Sequence, residues 1–143
     1  MTTLRITLAL LFLAAVLLLT ACAGDEAATP TVASATARPE SSATLAIVEP
    51  ADDAVITGDS VEVVFALDGG TLVDLAETEV RPDEGHLHVT VDGALVSMTG
   101  GLRQELEHLA PGLHLLKAEY VAADHAPFEP RVLAAVAFTV EER

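Results

Sequence analysis

Beyond Thr44, apolar side chains recur at every second position in short runs, and Gly, Pro and Asp break those runs at close intervals. A period of two bounded by turn residues is the signature of strands that bury one face. Leu45 and Ile47 share a side before Pro50, and Asp52-Asp53 turns the chain into Val55 and Ile56, a run that Gly58-Asp59 ends. The clearest run follows. Val61, Val63, Phe65 and Leu67 alternate with Glu62, Val64, Ala66 and Asp68 up to Gly69-Gly70, as in a sheet packed on one side. Further strands are expected over His86–Val91, Ala94–Met98, Gln104–Leu109, Leu113–Val121 and Val132–Val140. Asp92-Gly93 joins the first two of these as a hairpin turn that needs positive φ. The spacing of Leu72, Leu75 and Ala76 lets Leu72–Val80 be either a strand or a short helix. About seven short strands, with turns roughly every 8 to 12 residues, predict an all-β fold, an immunoglobulin-like β-sandwich over residues 44–143.

The first 43 residues follow other rules. Arg5 precedes an apolar run from Ile6 to Leu19, interrupted only by Thr7, which matches a signal-peptide core and falls short of the ~20 residues a membrane span needs. Leu19-Thr20-Ala21-Cys22 resembles the lipobox of bacterial lipoproteins. That resemblance implies cleavage after residue 21 and attachment of palmitate-type acyl chains to Cys22, the only cysteine of the chain. A lone cysteine allows no intramolecular disulfide, so the domain must hold by packing. Residues 22–43, rich in Ala, Thr, Ser and Pro without an apolar period, read as a flexible linker. The expected location is extracytoplasmic, anchored by lipid to the cell membrane.

Charge removes several functions from consideration. With 22 acidic residues against 7 basic ones the net charge is −15, which repels nucleic acid and favours cations. Aromatic residues make up 3% of the chain and Trp is absent, so the stacking platforms of sugar-binding and single-strand-binding modules are missing. There is no Gly-rich phosphate loop, no Gly-x-Ser-x-Gly elbow, no Cys-x-x-Cys and no His-Glu-x-x-His. No nucleophile, base and orienting group can be assembled from the sequence.

What chemistry there is lies in histidine. All five, His86, His88, His108, His114 and His125, fall in the second half. His86 and His88 are two apart on one strand and leave the same face, while Leu87, Val89 and Val91 take the core. Two neutral imidazoles at that spacing suit zinc, copper or nickel, and Met98 offers reduced copper a soft thioether. His114 and His125 are the candidates to complete the shell. Alternation places His114 with Leu116, Ala118 and Tyr120 on the core side, so only a bulge or an edge would bring it to the pair. His125 sits in a loop before Pro127, where it either caps a turn or closes a metal site. His108, in Glu105-Leu106-Glu107-His108, reads as an exposed residue outside any shell. The structural alternative makes His86 and His88 solvated or paired side chains, His114 a rim histidine bonded to backbone, and Pro111-Gly112 a simple turn.

Taken in order, three stretches resemble the motifs of a group of bacterial extracytoplasmic domains of unknown function, often lipoproteins. They are Gly85-His86-Leu87-His88 running to Asp92-Gly93, Leu109-Ala110-Pro111-Gly112-Leu113-His114-Leu115, and Asp124-His125-Ala126-Pro127. The resemblance spans about half of the chain and implies an immunoglobulin-like sandwich, with no activity attached. Members often carry a further histidine directly after the first, where this chain has Leu87, a departure that counts against a metal site. The sequence therefore predicts a monomeric, lipid-anchored, non-enzymatic module that binds another component of the cell envelope. The alternative is a copper or zinc domain using His86 and His88 with His114, His125 or Met98. Geometry separates the two. A metal site needs the imidazoles to converge with a third ligand about 2.0 to 2.2 Å from one point, and an interaction module needs an exposed apolar patch or an unpaired edge strand.

Overall fold

A computed structural model describes residues 37–142; Cys22 and the expected signal segment lie outside the described residues. The strands are β1 (Thr44–Glu49), β2 (Ala54–Thr57), β3 (Val61–Asp68), β4 (Thr71–Leu72), β5 (Glu84–Val91), β6 (Ala94–Thr99), β7 (Arg103–Leu106), β8 (Gly112–Ala122) and β9 (Pro127–Glu141). They form a β-sandwich. One sheet has the order β1-β3-β7, and the other runs β2-β9-β8-β5-β4, with β6 also paired to β5.

The period of two does what the sequence demands. Val63 and Phe65 of the smaller sheet meet Leu87, Val89, Leu116, Ala118, Tyr120 and Phe138 of the larger one in a single core. Burying each such side chain contributes about 1.5–3 kcal/mol. The Asp92-Gly93 hairpin forms as expected, with φ of 52° and 84° at its two central residues. Leu72–Val80 is neither strand nor helix beyond Leu72. Its side chains bind their own backbone instead: Asp74 accepts from Ala76 N at 2.8 Å, and Glu77 from Thr78 N at 2.9 Å and Glu79 N at 2.8 Å, which competes with any regular ladder.

Three details set up the functional end of the larger sheet. The Tyr120 hydroxyl, buried among core residues, lies 2.8 Å from Thr71 O and 2.7 Å from Asp83 O and clips the 73–83 loop closed. Gly85 lets β5 run hard against β8, because a Cβ there would stand 1.9 Å from Val121 O. Finally, residues 37–43, which composition assigns to the linker, lie against the sandwich: Ala43 is in the core, Ser42 N donates to Asp83 at 2.7 Å, and Glu129 N donates to Pro39 O at 3.1 Å.

Candidate metal centre

β5 alternates with its outer face carrying His86, His88 and Thr90, and on β8 the outward neighbours of that pair are Val121 and Glu119. Over this face folds the turn from β8 to β9. It is a three-residue loop, Ala123-Asp124-His125, closed by His125 N on Ala122 O at 2.9 Å and by Ala122 N on Ala126 O at 3.0 Å. Such loops are a type I turn followed by one residue in the left-handed region, a place that favours glycine. Here that residue is His125, with φ of 62°. The strained position aims its ring at the strand below.

Three ring nitrogens meet as a result. His86 Nε2 lies 3.2 Å from His88 Nε2 and 2.9 Å from His125 Nδ1, and the last two are 3.3 Å apart. Each nitrogen carries either a hydrogen or a lone pair, and donor and acceptor cannot alternate around a triangle. Whatever the tautomers, at least one contact sets two donors or two lone pairs face to face. A cation that takes all three lone pairs removes the conflict. The scale also fits, since ligands about 2.0–2.1 Å from a tetrahedral zinc stand about 3.3 Å apart. His86 is fully buried, His88 half-buried and His125 exposed, so a fourth position would open to solvent.

Burial and close neighbours favour the neutral form of the two β5 rings, His86 and His88. Burial, with His125 and His88 close by, pushes the His86 imidazole down to about 4. Burial and then His125 also lower His88, against an opposing pull from Glu119. Neutral imidazole is the metal-binding form. His86 Nδ1 is buried without a hydrogen-bond partner, an arrangement that destabilises by about 1–3 kcal/mol.

His114 shows what a structural histidine looks like in the same protein. Its Nδ1 donates to Asp92 at 2.7 Å and its Nε2 to Ala110 O at 2.7 Å, and these two bonds hold its pKa above the ordinary value. It does not join the cluster. It faces the core beside Phe138, and Glu119, the β8 residue opposite His88, is five positions further on, about 17 Å along the strand. Of the sequence candidates, the structure brings together His86, His88 and His125 and sends His114 to a structural role. His108 sits exposed in the turn after β7, with φ of 61°. Met98 is the cross-strand partner of His88, so its thioether leaves the same face beside that ring, and it is 43% exposed.

The carboxylates nearest the cluster are engaged. Glu119 accepts from Arg131 Nε at 2.6 Å and Nη2 at 2.5 Å, and Asp124 accepts from Arg38 Nη1 at 2.6 Å and Nη2 at 2.9 Å. Sequence reasoning passed over Arg38 because it lies in a stretch read as linker. Its one signal was being the sole basic residue between Arg5 and Arg81.

The fold is a β-sandwich similar to that of fibronectin(III)-like modules. No protein family matches the sequence, and no curated protein is similar to it. Among solved structures, the chain is similar to the fibronectin(III)-like modules of Clostridium thermocellum CbhA, with 16% identity, a TM-score of 0.51, and coverage of 69% of this chain and 96% of that one. It is also similar to the PKD domain of human KIAA0319, with 14% identity, a TM-score of 0.45, and coverage of 76% and 88% respectively. At such identities the likeness concerns the fold.

Proposed function

We propose that this domain binds one transition-metal ion through His86 Nε2, His88 Nε2 and His125 Nδ1, as a non-enzymatic module held at the cell envelope by lipid on Cys22. The observation that carries the reading is the triangle of nitrogens, which no set of tautomers satisfies and one cation does. Two further features support it. His125 occupies a backbone position that disfavours any side chain, and His86 is buried with a nitrogen unpartnered. Neither arrangement stabilises the fold, and both are characteristic of binding sites. Met98 beside His88 adds a thioether to three imidazoles, a donor set that suits copper in the reduced state better than zinc. Among the described residues, the neighbouring carboxylates Asp124 and Glu119 are both ion-paired, which disposes neither to take a proton from a metal-bound water and favours binding over hydrolysis.

The test is a titration of the detergent-solubilised chain with Zn(II), Cu(II) and Cu(I). One ion per chain is expected, with affinity lowered at least about 100-fold in His86→Ala/His88→Ala and unchanged in His114→Ala. Met98→Leu should weaken Cu(I) while sparing Zn(II). Equal, weak binding by wild type and double variant would sink the proposal. That result would favour a second reading, a protein-docking surface, which rests on Val55, Leu95, Leu113, Leu115 and Leu133. All five are exposed on the outer face of the larger sheet, where exposed apolar side chains can serve a docking partner.

A further inference from the structure

We infer that Arg38 is a positioning residue of the metal centre: its guanidinium holds the loop that presents His125, so the end of the linker is part of the site. The inference rests on the metal-binding reading. Arg38 makes four contacts with this one loop. Its Nη1 and Nη2 grip the two oxygens of Asp124 at 2.6 and 2.9 Å, Nη2 also donates to Ala126 O at 3.0 Å, and Nε donates to Pro127 O at 2.9 Å. The planar fork thereby spans both sides of His125 in sequence, residue 124 before it and residues 126 and 127 after it.

Stability alone does not account for this arrangement. The side chains of Arg38 and Asp124 remain 32% and 33% exposed, and ion pairs so placed contribute little to folding. What a bidentate guanidinium supplies is geometry, fixed distances and a fixed plane. Geometry is what His125 lacks by itself: it is exposed, lies in a three-residue loop, and sits in a left-handed conformation that other backbone arrangements would relieve. His86 and His88 need no such support, His86 being fixed by the ladder to β8 and His88 by ladders to both β8 and β6. Two ligands are thus set by the sheet and the third by a residue 87 positions upstream, in a segment that composition marks as flexible. The site is complete only when residues 37–39 lie down on the 122–127 turn.

The experiment compares wild type with Arg38→Ala and Arg38→Lys in the full chain. Ring-to-ring nuclear Overhauser contacts between His125 and His86 in the metal-free protein report the positioning directly. Cu(II) electron paramagnetic resonance counts the coordinated nitrogens. Arg38→Ala should lose the His125–His86 contact, fall from three imidazole nitrogens to two, and bind Cu(I) and Zn(II) about 10–100-fold more weakly, with the contacts of His86 to His88 intact. Arg38→Lys keeps the charge and loses the fork, so it should track the alanine variant rather than wild type. Retention of the ring contact in Arg38→Ala overturns the positioning role, whether or not metal binds. Loss of the contact in a protein whose wild type binds no metal would confine the failure to the metal reading and leave Arg38 as a loop anchor only, against the inference as stated.

Discussion

His125 concentrates the conflict between folding and function in one residue. At φ of 62° an L side chain is strained by about 1 kcal/mol relative to glycine, and the loop would close equally well around Gly or Asn. Two substitutions separate strain from chemistry. His125→Gly should be about 1 kcal/mol more stable in urea than His125→Ala, because only the alanine keeps the Cβ in the left-handed region, while both should lose metal-induced stabilisation against heat. Equal stability of the two variants would show that the backbone there is under no strain. His86 makes the same point from the opposite direction, since it is buried with one nitrogen unpaired, whereas His114 uses both nitrogens. Two histidines of one sheet are thus told apart by their hydrogen-bond inventory. Alternation puts the two on opposite faces of the sheet and leaves their hydrogen-bond partners open.

At the scale of elements, His114 and Asp92 tie β8 to the β5–β6 hairpin. Asp92 takes His114 Nδ1 through one oxygen and Leu115 N, at 2.9 Å, through the other. The His114 pKa is raised, first by the bond to Ala110 O and then by Asp92, so the folded state holds its proton more tightly than the unfolded chain. The stability this supplies is full below the unfolded value near 6.5 and is lost as pH rises through the folded value. Urea midpoints measured from mildly acidic to mildly alkaline pH should therefore show His114→Ala destabilised by about 1–3 kcal/mol at the acid end. The gap to wild type should narrow as pH climbs. A gap that widens with pH would mean that the bond to Asp92 does not hold a proton. The strand assignments themselves followed from alternation. The assignment missed between Leu72 and Val80 followed from side chains bonding their own backbone, which a hydrophobic period does not register.

For the whole molecule, an acidic chain with 22 carboxylates and a net charge of −15 attracts cations over a long range. On the proposed reading, the histidine cluster would then select among them by ligand softness. Lipid anchoring would hold this capture in one plane. If Cys22 carries the anchor, wild-type chain should partition with membranes and incorporate labelled palmitate, and Cys22→Ala should appear in the soluble fraction unlabelled. Membrane association that survives Cys22→Ala would point to the apolar run at residues 6–19 as the anchor instead. In either case Arg38, at the start of the described residues, reaches the loop that carries His125.

The all-β class, the core faces of β3, β5 and β8, and the Asp92-Gly93 hairpin were decided by sequence alone, because a period of two and the φ preferences of Asp and Gly are local properties. The pairing of His86 with His88 on one outward face was local as well. Tertiary structure decided the rest. Whether His114 or His125 joined that pair depended on which turn folds over the outer face of β5, and Arg38 took its role from a contact across 86 residues. Neither contact leaves a trace in spacing, since loop closure brings together residues whose separation along the chain carries no information about the geometry in which they meet.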